Sequence, residues 1–138
     1  MKKRVLFLCT HNSCRSQMAE GIVNHDLGDR FDAFSAGTEA TSVNARAIAI
    51  LKEIGIDISR HRSKVLGEFD GQQFDYVITL CGDANDKCPL FFGGVQRIHI
   101  GFSDPSRIKE GTEAEIMEEF RKVRDEIRVK LTEFLTKP

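Results

Sequence analysis

Cys9 and Arg15 are separated by five residues in the stretch Leu8-Cys9-Thr10-His11-Asn12-Ser13-Cys14-Arg15-Ser16. The apolar run Val5 to Cys9 before them and the helix-like spacing after them place the thiol at a strand end and the arginine at a helix start. In a strand-loop-helix turn several backbone N–H groups converge and the helix dipole adds positive charge, which suits a tetrahedral oxyanion. The Arg15 guanidinium can fork two of its oxygens. The same field lowers the pKa of a thiol so placed to roughly 3.5–7.5, making Cys9 a nucleophile at neutral pH, with Ser16 able to donate a hydrogen bond to its sulfur. Thr10, His11, Asn12, Ser13, Cys14 and Arg15 are therefore the candidate oxyanion-binding set. A buried structural thiol is the competing reading of Cys9, and packing or oxidative guarding of Cys9 is the reading of Cys14.

The elements that must position this loop follow from periodicity. Val5 to Leu8 reads as a strand buried on both faces, as in a parallel sheet. Met18, Ala19, Ile22, Val23 and Leu27 recur at helical spacing from Ser16 until Gly28. Phe31 to Ser35 is a second strand, and Asn44 can cap a helix whose Ala47, Ile48, Leu51 and Ile54 form one face. Phe74 to Cys81 and Val95 to Ile100 read as further strands. Ile116, Phe120, Val123, Ile127, Leu131 and Phe134 mark a long helix with Glu113 and Glu115 at its start, where the dipole favours them. The expectation is an α/β fold: one domain over residues 1–138, with an open, mostly parallel four-stranded sheet flanked by helices. Such sheets bind ligands beyond the carboxyl ends of their strands, where Cys9, Cys81 and the segment after Ile100 would gather.

Composition narrows the function classes. A chain of 138 residues with a formal net charge of −1 has no broad basic field for nucleic acid. The Met-Lys-Lys-Arg start suggests a signal peptide, but the apolar run that follows is shorter than the ~7–15 residues required. No stretch reaches the ~18 apolar residues of a membrane span, so a cytoplasmic location is expected. In a reducing compartment the cysteines Cys9, Cys14, Cys81 and Cys88 are candidates for redox or nucleophilic chemistry rather than staples. Cys81, Cys88 and His99 match no common zinc spacing, and no metal site is expected. His25, His61 and His99 read as surface or structural groups, and the His11 side chain as pointing outward.

From Val5 to the last helix the chain resembles the thioredoxin-coupled arsenate reductases, which share the fold of low-molecular-weight protein tyrosine phosphatases. The resemblance is carried by Cys9-Thr10-His11-Asn12-Ser13-Cys14-Arg15-Ser16-Gln17-Met18-Ala19-Glu20, Ser35-Ala36-Gly37, Thr79-Leu80-Cys81, Cys88-Pro89 and Asp104-Pro105. Gln17 is similar to the reductases, since phosphatases usually carry proline there. Ser106-Arg107 lacks the tyrosines that phosphatases often carry after Asp-Pro.

The resemblance implies that Cys9 attacks arsenate and that Asp104 is the general acid, although Asp-Pro is also a common turn dipeptide. It implies a relay in which Cys81 and then Cys88 resolve, with no bound cofactor, reducing equivalents from thioredoxin, and a monomer as the working form. A phosphotyrosine phosphatase using Cys9 and Arg15 alone, and an oxyanion- or redox-sensing module, stay open as alternatives. Some such reductases hold a potassium ion through residues resembling Asn12, Glu20 and Ser35 plus an aspartate. Here Lys64 falls at the aspartate's position, either replacing the ion or pointing into water.

Overall fold

The computed structural model describes residues 2–80 and 94–137. Strands β1 (Lys3–Cys9), β2 (Phe31–Gly37), β3 (Phe74–Thr79) and β4 (Gly94–His99) form one sheet in the order β2-β1-β3-β4. Every pairing is parallel, with Cys9 opposite Gly37 and Leu8 opposite Thr79. The described helices are α1 (Arg15–Asp26), α2 (Ala45–Lys52) and α3 (Glu113–Leu135). The chain leaves β1 for β2 on one side and later returns to pair β3 on the other. The end of β1 is thus the point where strand order reverses, and a crevice opens there. Cys9 is its last residue.

Alternation along β1 assigns the two faces. Val5 and Phe7 join a core with Met18, Ile22, Ile50, Phe120 and Ile127 of the helices, whereas Leu6 and Leu8 pack on the opposite face with Ala36, Phe69 and Val77. The second face is closed by Phe34, Phe69 and Phe74 in edge-to-face contact at 5.7 to 6.0 Å between ring centres. The Arg4 guanidinium lies over two of these rings, Phe34 and Phe74, and so shields apolar surface that the described helices leave bare.

Helix α3 starts where the acidic pair suggested, with a capping box between Thr112 and Glu115. Asn44 caps α2 by accepting from the N–H groups of Arg46 and Ala47. Helix α1 departs from the amphipathic expectation: Arg15 to Val23 are all buried, Gln17 and Glu20 included. Its partners besides the sheet, namely α2, α3 and residues 61–64, come from distant sequence, which is why its own periodicity does not reveal them. Two short 3-10 turns, Leu66–Phe69 and Pro105–Arg107, were not foreseen. Among the described residues no helix is long and apolar enough to cross a membrane.

Candidate active site

The loop from Thr10 to Cys14 turns its carbonyls outward, and each of the first four finds a donor. Thr10 O accepts from Glu39 N (3.0 Å) and Thr38 Oγ1 (3.2 Å). His11 O accepts from Ser63 Oγ at 2.8 Å, Asn12 O from Gln17 Nε2 at 3.2 Å, and Ser13 O from Asn44 N at 2.9 Å. A trans peptide points its N–H away from its C=O, so pinning the carbonyls outside presents amide hydrogens to the inside of the loop. Asn12 takes φ 49°, the one non-glycine residue with positive φ among those described. Alternation of left- and right-handed residues is how a backbone makes an anion-binding concavity.

Gly37 explains how closely β2 backs this loop. A Cβ there would lie 2.6 Å from Thr10 O, 2.8 Å from Asn12 N and 2.9 Å from Cys9 O. Only a glycine lets strand end and loop backbone meet at that distance.

A small cavity at the loop is lined by Cys9, His11, Ser13, Cys14, Arg15, Asp104 and Ser106. Residues from β1, the loop, α1 and the 3-10 turn after β4 therefore converge, as expected for the Cys9, Arg15 and Asp104 set. Cys9 is buried, at 4% exposure. The Arg15 side chain is buried too; Nη1 donates to Phe102 O at 3.0 Å and Nη2 lies 3.3 Å from Asp104 Oδ2. Its Nε is buried with no hydrogen-bond partner among the described residues. An unsatisfied guanidinium N–H costs free energy unless a ligand or water accepts from it.

Asp104 is oriented by its own turn: Oδ1 accepts from Ser106 N at 3.0 Å and Ser106 Oγ at 2.6 Å. Ser16 Oγ accepts from Asn12 Nδ2 at 2.8 Å, and a hydroxyl that accepts still has its hydrogen to donate, as the expected bond to the Cys9 sulfur requires. Burial pushes the Cys14 thiol up to about 12, helped by the Asp104 carboxylate and opposed by Arg15. Cys14 therefore stays protonated at neutral pH, which suits packing and not attack. The His11 side chain is half exposed, as expected, with Nε2 3.4 Å from Glu39 Oε2. His25 pairs with Asp26, and His99 Nδ1 lies 2.8 Å from Thr79 Oγ1. Cys81 and Cys88 lie outside the described residues, and the thiol relay with them.

A polar layer sits behind the loop; the resemblance grouped its Asn12, Glu20, Ser35 and Lys64, whereas the links through Gln17, His61 and Arg62 were not expected. The Gln17 amide reaches Asn12, Arg62 and His61, and Asn12 Oδ1 also accepts from Lys64 N at 2.8 Å. Glu20 accepts from Ser35 Oγ at 2.6 Å and faces Lys64 Nζ at 3.6 Å. Lys64 Nζ also donates to Arg62 O at 3.1 Å, and its side chain is only 13% exposed. An ammonium thus already occupies the acidic end of this layer, and the residue set does not fit a potassium ion. Among the described residues no group of three or more His, Cys, Asp or Glu could hold a metal.

Comparison with known proteins gives relatives that match nearly the whole chain. An arsenate reductase of Bacillus subtilis is 50% identical over 132 residues, covering 96% of this chain and 94% of that protein. A solved arsenate reductase in a phosphate-binding state superposes with a TM-score of 0.76 at 32% identity, over 97% of this chain and 96% of the other. A low-molecular-weight protein tyrosine phosphatase from T. tengcongensis gives 0.79 at 30% identity, over 99% and 100%. A thioredoxin-dependent arsenate reductase from Corynebacterium glutamicum gives 0.65 at 31% identity, over 95% of this chain and 62% of that one. The family model described as low molecular weight phosphotyrosine protein phosphatase matches residues 4–137, and the chain belongs to that family.

Proposed function

We propose that this protein reduces arsenate to arsenite with electrons from thioredoxin. The observation that carries the reading is the buried, unpartnered Nε of Arg15 in a cavity shared with Cys9 and Asp104. That combination supplies an oxyanion donor, a nucleophile and an acid within one small space. The 50% identity to an arsenate reductase over nearly the whole chain supports arsenate as the anion.

In the first step the Cys9 thiolate forms a sulfur–arsenic bond, and the outward hydroxyl of the protonated arsenate leaves as water with a proton from Asp104. Cys81 then attacks the Cys9 sulfur. The disulfide forms, the sulfur–arsenic pair of electrons stays with arsenic, and As(V) leaves as As(III). Cys88 attacks Cys81 and frees Cys9, after which the two thiols of thioredoxin reduce Cys81 to Cys88. Two cysteine sulfurs are oxidised for each arsenic reduced, so the electrons balance.

The test is turnover with arsenate, thioredoxin, thioredoxin reductase and NADPH. Arsenate-dependent NADPH consumption that disappears in Cys9→Ser is expected; its absence in fully reduced wild type overturns the reading. Cys88→Ser should release one arsenite and stall as a Cys9 to Cys81 disulfide, seen by peptide mass mapping. A second reading, phosphate monoester hydrolysis, is favoured by the phosphatase of the same fold at a TM-score of 0.79. Ester hydrolysis unaffected by the Cys81→Ser, Cys88→Ser pair, without arsenate turnover, would establish it instead.

A further inference from the structure

Gln17 is fully buried, and its amide is used at both ends. The two hydrogens on Nε2 face three acceptors: Asn12 Oδ1 at 2.8 Å, Arg62 O at 2.9 Å and Asn12 O at 3.2 Å. Oε1 faces His61 Nδ1 at 3.0 Å, so the imidazole donates there and fixes which way the amide points. One side chain thus ties the backbone of the loop, the side chain of its left-handed residue and the segment 61–64 together. That segment in turn holds the loop at two more points, Ser63 Oγ to His11 O and Lys64 N to Asn12 Oδ1, both at 2.8 Å.

We propose that Gln17 is a positioning residue for the oxyanion. It never lines the cavity. It acts through Asn12, whose φ of 49° strains a non-glycine residue and persists only while its surroundings hold it. Remove the Nε2 donor and Asn12 O loses the one donor described for it, while Asn12 Oδ1 keeps only Lys64 N. The loop can then relax toward a right-handed Asn12, which turns the adjoining amide out of the concavity. The anion loses a donor, and so does the Cys9 thiolate. Asn12 Nδ2 also leads to Ser16 Oγ at 2.8 Å, so the relaxation reaches the hydroxyl behind the sulfur.

The inference rests on the cavity being an oxyanion site, and its test needs no arsenate turnover. Inorganic phosphate is the probe. Its protection of Cys9 from iodoacetamide is measured by mass mapping, with the pH midpoint of Cys9 alkylation, in wild type, Gln17→Met and Gln17→Glu. Met keeps length and burial without a charge; Glu keeps shape and the acceptor for His61 but loses the donor. Both variants are expected to need roughly tenfold more phosphate for half-protection, the equivalent of one lost buried hydrogen bond. The alkylation midpoint should rise in both, and arsenate KM should rise more than kcat falls.

A lower melting temperature with wild-type half-protection and midpoint would make Gln17 a structural residue and overturn the proposal. Should the Met variant fail to fold, Glu decides by the same two readouts. Wild type left unprotected by phosphate would remove the oxyanion reading and this proposal together. Gln17-dependent protection without any arsenate turnover would remove only the proposed reaction.

Discussion

Arg15 Nη2 and Asp104 Oδ2 stand 3.3 Å apart, side chains 8% and 16% exposed, where the start of α1 meets the turn after β4. Each holds the other where a tetrahedral anion above Cys9 would meet both. Asp104 Oδ1 is committed to Ser106, which leaves Oδ2 as the oxygen toward the site. Asp104→Asn keeps the acceptor at Oδ1 and removes the proton donor. Its kcat should fall by roughly 10²–10⁴, the usual worth of a general acid, together with a lower melting temperature because the buried Arg15 loses its carboxylate partner. A variant that turns over arsenate at wild-type rate would show that Asp104 serves only as the partner of Arg15.

Gly37→Ala should damage the loop from behind. The added methyl carbon would sit under 3 Å from three backbone atoms of residues 9, 10 and 12, none of which can yield as a side chain would. Overpacking of this kind costs about 1–3 kcal/mol. Urea unfolding should register that loss, and phosphate protection of Cys9 should weaken with it. Wild-type phosphate affinity in a destabilised Gly37→Ala would mean that the loop tolerates displacement.

The sequence made the strand, the loop and the long helix α3 legible because each has a local signature: an apolar run, a thiol–guanidinium spacing, a 3.6-residue stripe. Asp104 was legible only through resemblance, since an Asp-Pro pair alone is also a turn. What could not be read was the set of groups that fix the loop from outside. Asn44 N, Glu39 N, Ser63 Oγ and Phe102 O act through single hydrogen bonds, and polar residues in irregular segments have no period. Gln17 and Glu20 fall outside the apolar set Met18, Ala19, Ile22, Val23 and Leu27 by which α1 is read, yet both are buried. Lys64 beside Glu20 was legible only through resemblance, and the Gln17 partners His61 and Arg62 lie more than forty residues away, where nothing local announces a polar residue that will be buried by such contacts. The run Ser35-Ala36-Gly37 was the available hint, small residues at a strand end where another backbone must approach.

Lys64 gives a salt-dependence prediction. Its ammonium, 3.6 Å from Glu20 Oε1 and bonded to Arg62 O, supplies in covalent form the charge that a bound cation would bring. Turnover and melting temperature should therefore be the same in potassium and sodium chloride at matched ionic strength. Lys64→Asp removes that charge, adds a carboxylate beside Glu20 and should acquire potassium dependence in both measurements. Specific potassium activation of the unmodified protein would show that the lysine does not stand in for an ion.

The last prediction concerns acid stability. Glu53, at the end of α2, accepts from Arg121 Nε and Nη2 at 2.9 Å each and from Arg124 Nη1 at 3.1 Å, tying α2 to α3. The hydrogen bonds from Arg121, with its charge and then Arg124, pull the Glu53 carboxyl down from 4.5 to about 2. A carboxyl depressed in the folded state binds its proton more readily when unfolded, so stability is lost as pH falls. The contribution is complete above the unfolded value of 4.5 and fades as pH drops through about 2. Glu53 is exposed, so the effect is modest and salt-sensitive. Urea unfolding of wild type and Glu53→Gln should show a gap that is constant from neutral pH to roughly pH 5 and closes below it. A gap that persists undiminished near pH 2 would mean that Glu53 helps hold α2 to α3 through packing rather than through its charge.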